Sequence, residues 1–513
     1  MFIAHRNGRT TAHCSTRRLL AVASLALSPA IASAVNYTAV DLGTLGGTFS
    51  FPDAINAHGQ VTGAANTAGN AATDAVIWSG GGTLDLSTMV GSQSNGAAIN
   101  DNGWVTGDLY PDVLHSPVAH AFLWNGAAMQ DLGTLGGGNS HGVAINANGW
   151  TTGYSDTADS GFHAYLWNGS TMQDLGTLGG SISYGYAINS SGWIAGFANV
   201  PGDMYSHAFV WNGSSMLDLG TLGGNSSVAS AINSSGWATG FSDAPSGQHA
   251  FVWNGSTMQD IGTLGGAFSY SYGTAINNSG WVTGYSATYD FFSFHAFVWN
   301  GSSMQDIGTL GGRHSVGAAI NSSGWVTGNA TTASEETHAS VWDGSSLIDL
   351  NDALPAGSPF VLANGWAIND AGQVIADGHN PATGEIHAFL LNPFVPFDFT
   401  GFFAPVQNPP ATNAMKAGRA VPVKFSLGGD QGLNVFAPGY PVSNSVNCAT
   451  LVGSVTDIQQ TTTAGASGLK YDAASGQYSY VWNTSTTWAN SCRSLTLKFT
   501  DGSVHVANFI FSK

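Results

Sequence analysis

The chain has 513 residues, only 8% of them charged, with 30 Asp and Glu against 12 Lys and Arg and a net charge of −18. A chain this acidic is not drawn to nucleic-acid phosphates or to an anionic membrane face, so nucleic acid is excluded as an expected partner. Its 43% hydrophobic content is ample for a large buried core.

The N-terminus reads as an export leader. Arg6, Arg9, Arg17 and Arg18 precede the apolar run 19–27, and Ala32-Ser33-Ala34 follows as a small-residue cleavage site. Cleavage is expected between Ala34 and Val35, making residues 1–34 a signal peptide. Thr16-Arg17-Arg18-Leu19-Leu20 also bears a faint twin-arginine character. No later segment resembles a transmembrane helix, so the expected location is extracellular, at the cell surface or in the periplasm. Without the leader, eight Lys and Arg face 30 Asp and Glu, a net −22.

From residue 54 to 369 the phrase AIN-x-x-G recurs in near-copies, with its Asn at positions 56, 100, 146, 189, 233, 277, 321 and 369. A period of about 44 residues marks stacked repeats that share a core. In the copy 275–308, short apolar runs AIN, GWVTG, HAFVW and MQDIG are separated by Asn278-Ser279-Gly280 and by Asn300-Gly301. The alternation in His295–Trp299 is strand patterning, and Asn-Gly between strands predicts a type I′ hairpin. Each repeat is therefore read as four antiparallel strands, which is the blade of a β-propeller. Tyr37–Leu45 is a fourth-strand sequence with no blade before it, and the last repeat ends at His387–Leu391 without one. The two are expected to pair and close an eight-bladed ring over residues 35–393.

That strand order places the AIN-x-x-G and Asn-Gly turns at one end of the blades. The GTLGG links and the variable loops, such as 108–119, 155–162 and 286–294, fall at the other. Binding residues concentrate on such loops.

Composition shifts after residue 393, where seven basic residues stand against five acidic ones. Alternation in Gln477–Trp482 and Leu495–Phe499 predicts a β-sandwich over residues 394–513. Cys448 and Cys492 share this small domain, with only His505 as another metal-ligating candidate, so a disulfide is expected.

The phrases His-Ala-Phe, GTLGG and AIN-x-x-G resemble the HAF family of bacterial extracellular repeats over residues 37–393. The first copy departs, with Asp74-Ala75-Val76 in place of His-Ala-Phe, and the last has Leu391 in place of Trp. From Phe397 to Lys513, FTGFFAPV, Pro422-Val423-Lys424-Phe425 and the paired cysteines resemble a PxKF domain, an Ig-like sandwich. The first resemblance implies an exported repeat protein, and neither implies a catalytic activity.

An Asp begins the last strand of every repeat and a His opens the third strand in most, as in Asp131, Asp174, Asp218, Asp260 and Asp306 with His163, His207, His249 and His295. One copy per repeat points to packing, because a catalytic site needs only one or two, and a buried polar group must be satisfied. Ser50, Ser140, Ser183, Ser227, Ser269 and Ser315, three residues after a Gly-Gly, belong to the same argument. The two Trp registers are expected to fill the wedges between blades. Residues that break the repeat are the better ligand-binding candidates: His141, Tyr184, Tyr186, Phe268, Tyr270, Tyr272 and His314. With loop carboxylates such as Asp112, Asp156, Asp203 and Asp290 they would suit a sugar or a cationic group. No HExxH, GxSxG, EF-hand, P-loop or Cys-His cluster occurs, so no metal, cofactor or catalytic residue is expected. The expected function is extracellular binding or adhesion to a glycan or protein. The alternative is a polysaccharide hydrolase or lyase using paired carboxylates on the variable-loop face.

Overall fold

A computed structural model describes residues 35–513 apart from 88–92, 111–117, 266–268, 290–291, 356, 395, 452 and 464–467. The signal peptide with Ala34, and the candidates Asp112, Phe268 and Asp290, lie outside the described residues. Val35–Lys513 forms one compact unit. Among the described residues the fold is all-β, with no helix long and apolar enough to cross a membrane.

The repeats form successive four-stranded antiparallel sheets in a propeller-like arrangement. In one of them the strands are Ser271–Ile276, Val282–Ala287, Phe294–Trp299 and Met304–Asp306. Large residues of the third strand point to the core. Trp78, Trp124, Trp167, Trp211, Trp253, Trp299 and Trp342 are all buried. Asn36–Asp41 pairs antiparallel with Ile386–Phe394, from Asn36 opposite Phe394 to Asp41 opposite Phe389. The first strand of the chain thus completes the sheet of the last repeat, and residues 42–45 lead on into the first.

One device explains why AIN recurs. The Oδ1 of each motif Asn accepts from backbone N–H groups two and four residues on, as Asn233 does from Ser235 and Trp237 at 3.0 Å. Its Nδ2 donates to the carbonyl of the motif Asn in the next repeat. These bonds run Asn56 to Asn100, then to Asn146, Asn189, Asn233, Asn277, Asn321 and Asn369, at 3.0–3.2 Å. Asn369 then donates to the Asn56 carbonyl at 3.0 Å, closing the cycle. Each side chain is buried, so a missing partner would leave an unsatisfied polar group.

Neighbouring sheets approach closely around a second pair. A Cβ on Gly96 would lie 2.4 Å from Thr62 Oγ1 of the preceding repeat, and one on Gly142 would lie 2.5 Å from Thr106 Oγ1. Where Ala195 replaces the threonine, the next repeat carries Ala229 in place of glycine, and both sit in one core cluster. The serine after the link joins sheets too. Ser140 Oγ donates to Gly133 O at 2.6 Å and accepts from Ala121 N at 2.8 Å.

Three sequence expectations change. The Asn-Gly hairpins are not type I′ turns. Trp167 pairs with Met172, leaving a four-residue loop in which only Gly169 has positive φ and Asn168 Oδ1 accepts from Ser170 and Thr171 N–H. The Asn side chain thus supplies the turn that its backbone would otherwise make. In the sixth repeat the linking serine is Ser271, not Ser269, because two residues are inserted: Ser271 Oγ bonds Gly262 O and Ala250 N. Asp108 belongs to the strand Val105–Tyr110 rather than to a loop.

After residue 396 two further sheets form. Phe399–Phe403, Ala420–Leu427, Gln477–Asn483 and Lys470–Asp472 make one, and five strands ending at Val504–Ser512 make the other. Their inner residues share one core, including Phe425, Tyr478, Trp482, Phe499, Phe509 and Phe511. Cys448 and Cys492 are disulfide-bonded, 44 residues apart.

Candidate functional site

The recurring Asp ends the fourth strand rather than beginning it, as in Met172–Asp174, and meets the His of the third strand as a strand tie. His163 Nδ1 lies 2.8 Å from Asp174, His207 2.9 Å from Asp218, His249 and His295 2.8 Å from Asp260 and Asp306, and His120 2.8 Å from Asp131. The same aspartates cap the following link, as Asp131 Oδ1 accepts from Gly133 N at 2.8 Å. His387 meets Asp41 at 2.9 Å across the joined ends of the repeat region. The first repeat has no His here. Asp74 faces Asp85 instead, its Oδ1 buried without a partner, and burial followed by the Asp85 charge pushes its carboxyl up to about 6.

The innermost strands carry the variation. Their side chains alternate, and the buried face is uniform (Ser50, Ser94, Ser140, Ser183, Ser227, Ser271, Ser315). The other face, near the link end, holds residue types that change from repeat to repeat. Opposite them stands the residue after the second-strand Gly, as in the registered pairs His141–Tyr154, Tyr184–Phe197, Val228–Phe241 and Tyr272–Tyr285.

Two aromatic stacks result. His141 stacks on Tyr154 at 4.6 Å, Tyr154 meets Tyr184 at 4.4 Å, and Tyr184 stacks on Phe197 at 4.9 Å, with Tyr186 and Phe162 beside it. Phe241 meets Tyr272 at 4.9 Å, which stacks on Tyr285 at 5.0 Å, with Tyr270 at its edge. Tyr285 continues to Phe294, and Phe294 to His314 at 4.3 Å. Tyr272 also donates to Gln248 Oε1. Tyr186 and Tyr270 are each 37% exposed, so the stacks present ring area to solvent.

The remaining repeats supply amides and carboxyls. Asn329 Nδ2 donates to Asn364 Oδ1 at 2.7 Å, and Asp377 Oδ1 accepts from Asn364 Nδ2 and Trp366 Nε1 at 3.0 and 2.7 Å. Asp108 accepts from Gly142 N and lies 3.0 Å from His141 Nδ1. Asp53 stands on the strand Gly46–Ile55 of the first repeat. Burial, then the Asp108 charge, pushes its carboxyl up to about 7, and Tyr154 rises to about 12 for the same two leading causes.

Of the sequence candidates, His141, Tyr184 and Tyr186 thus share one stack, and Tyr270, Tyr272 and His314 the other. The carboxylates expected on loops behave differently, and Asp156 and Asp243 lie at the ends of the strands Thr151–Thr157 and Ala238–Ala244. Asp156 accepts from Asn139 N at 3.0 Å, Asp203 from Ser181 N at 2.7 Å and Asp243 from Ser226 N at 3.0 Å. They hold loop and link together. Sequence reasoning missed Tyr154, Phe197, Phe241, Tyr285, Asp53, Asp108 and Asp377. For Asp108, Tyr154, Phe197, Phe241 and Tyr285 the available signal was the residue after the second-strand Gly, which changes chemistry between otherwise similar strands; Asp53, on a first strand, and Asp377, after Ala376, carry no such mark. Among the described residues no group of three or more His, Cys, Asp or Glu could hold a metal ion.

No family model matches the chain, and no curated protein matches it in sequence. Solved structures with some likeness include a putative TolB from Agrobacterium tumefaciens, 11% identical, covering 44% of this chain and 83% of that one at a TM-score of 0.31. TolB from Acinetobacter baumannii is 10% identical, covering 59% and 79% with a TM-score of 0.28. A triple mutant of AofleA from Arthrobotrys oligospora is 11% identical, covering 50% and 89% with a TM-score of 0.26. Likeness at this level carries no argument about activity or partners.

Proposed function

We propose that the chain is an exported eight-bladed β-propeller of the HAF-repeat type with a C-terminal Ig-like PxKF sandwich, and that it binds an extracellular glycan on the link-end face. The observation that carries the reading is the pair of partly exposed aromatic stacks flanked by the Asn329–Asn364–Asp377 cluster. Stacked rings offer flat apolar area to a sugar face, and fixed amides and carboxyls satisfy its hydroxyls. The leader and the disulfide support export. Screening the purified protein on a glycan array tests the function. The expected result is a bound glycan whose affinity falls at least tenfold in Tyr184→Ala with Tyr272→Ala. Unchanged affinity in that variant would sink the site. A mature N-terminus at Val35, read by mass spectrometry of the exported protein, tests the leader.

A second reading rests on Asp53 and Asp108. One carboxyl held near neutrality beside another that is hydrogen-bonded is the arrangement of an acid–base pair in glycoside hydrolysis. Release of reducing ends from the bound polymer, lost in Asp53→Asn, supports hydrolysis; binding without release supports the adhesion reading.

A further inference from the structure

On the turn end, opposite the aromatic stacks, the chain shows what fits between two repeats. The indoles of Trp104, Trp150, Trp193, Trp237, Trp281 and Trp325 each lie on the turn glycine of the following repeat. A Cβ on Gly149, Gly192, Gly236, Gly280, Gly324 or Gly372 would come within 2.4–2.9 Å of indole carbon. At the two junctions flanking the first repeat a glutamine replaces the indole: Gln60 faces Gly103, and Gln373 faces Gly59. Both amides are drawn inward. Asn56 Nδ2 donates to Gln60 Oε1 at 2.8 Å, Asn369 Nδ2 donates to Gln373 Oε1 at 2.8 Å, and Gln373 Nε2 donates to Asn392 Oδ1 at 2.7 Å. The outer part of each slot is left open. A cavity of about 440 Å³ is lined by Gln60, Ile77, Leu84, Asn102, Gly103 and Trp124. Another of about 370 Å³ is lined by Leu42, Gly59, Trp78, Gly81, Leu390 and Asn392. The hairpin of the first repeat, Ser79–Gly82, borders both and carries three glycines where other repeats have Asn-Gly-Ser or a variant of it.

We propose that these two slots are binding sites for a flat aromatic ring bearing an N–H or O–H donor, such as an indole. The walls suit it. Glycine backbone gives a flat floor, Trp124 and Trp78 give an aromatic side, and Asn102 and Asn392 line the slots with side-chain amides able to accept from the donor, Asn392 Oδ1 through the lone pair that its bond from Gln373 leaves free. A gap left by a missing large side chain accepts a small ring compound of matching shape, and six indoles of this chain fill the equivalent gaps. The site is independent of the glycan-binding reading, because it lies at the other end of the strands.

Titration of the full chain with 5-fluoroindole, followed by fluorine NMR, tests the inference. Wild type is expected to bind two equivalents saturably, Gln60→Trp with Gln373→Trp to bind none with a raised Tm, and Trp104→Gln to bind a third. The last variant keeps the test alive if the double variant folds poorly. Tyr184→Ala should leave all of this unchanged. Failure of wild type to saturate, full binding by the double variant, an unaltered count in Trp104→Gln, or equal binding of non-planar cyclohexanol would each overturn it.

Discussion

Asn233 uses both ends of its amide. The oxygen holds its own turn, and the nitrogen holds the next repeat. Asn233→Asp keeps the acceptor and removes the donor, setting a carboxylate oxygen against the Asn277 carbonyl. The expected loss is about 1–3 kcal/mol at neutral pH, larger than for an exposed Asn→Asp control, and thermal unfolding measures it. Asp74 poses the converse case. Its folded-state carboxyl sits above the ordinary aspartate range, so the folded protein binds its proton more tightly than the unfolded chain does. The associated penalty is absent below about pH 4, grows as pH rises toward about 6, and is then constant at roughly 1–2 kcal/mol once water at the site is allowed for. Asp74→His restores the pair used elsewhere. It is expected to raise Tm at pH 7 and flatten the Tm profile between those limits; an unchanged profile would show that the Asp74 carboxyl is not the source.

Between elements, the informative unit is the threonine of one sheet against the glycine of the next. Gly96→Ala places a methyl against Thr62 Oγ1 and is expected to cost about 1–3 kcal/mol. Thr62→Ala loses its bond to Val76 O, worth about 1 kcal/mol. Because Ala195 and Ala229 already coexist, the double variant should be less destabilised than the sum, with a coupling of about 0.5–3 kcal/mol in a double-mutant cycle of denaturant unfolding. Strict additivity would refute the complementarity. This is where reading the sequence stops short. The strands were legible because each hairpin carries its own alternation and turn residues. The Thr62–Gly96 and Asn56–Asn100 contacts join residues of different repeats, and their register depends on how sheets stack, which no local pattern encodes. Tyr154 was missed for a related reason: a single varying residue inside a regular strand looks like ordinary strand sequence until its neighbours converge on it. Asp108 was assigned to the loop 108–119, because the end of a strand is set by its sheet partners and not by its own residues. Ser269 was misassigned because a two-residue insertion shifted the register that counting from the link assumed.

For the whole molecule, the pairing of the two ends of the repeat region was legible from two incomplete repeats with complementary gaps. The closing contacts add Tyr37, buried and donating to Gly372 O at 3.0 Å, to the strand pairing and the His387–Asp41 tie. Deleting residues 36–41 removes them together and leaves the edge of Ile386–Phe394 unpaired. A loss of more than about 3 kcal/mol is expected, with new proteolytic cleavage near residue 387 in limited digestion. Wild-type stability after the deletion would refute the closure.

The partners in that last tie, Asp41 and His387, are 346 residues apart in sequence. A ribosome makes the first of them long before the second, so the opening strand has no native partner until nearly the whole repeat region has been synthesised. Until then the nascent chain offers two unpaired edges, and a contact this distant is slow to find. On the export reading proposed above, a chain that crosses a membrane unfolded would make the join on the far side, where the Cys448–Cys492 bond would also form.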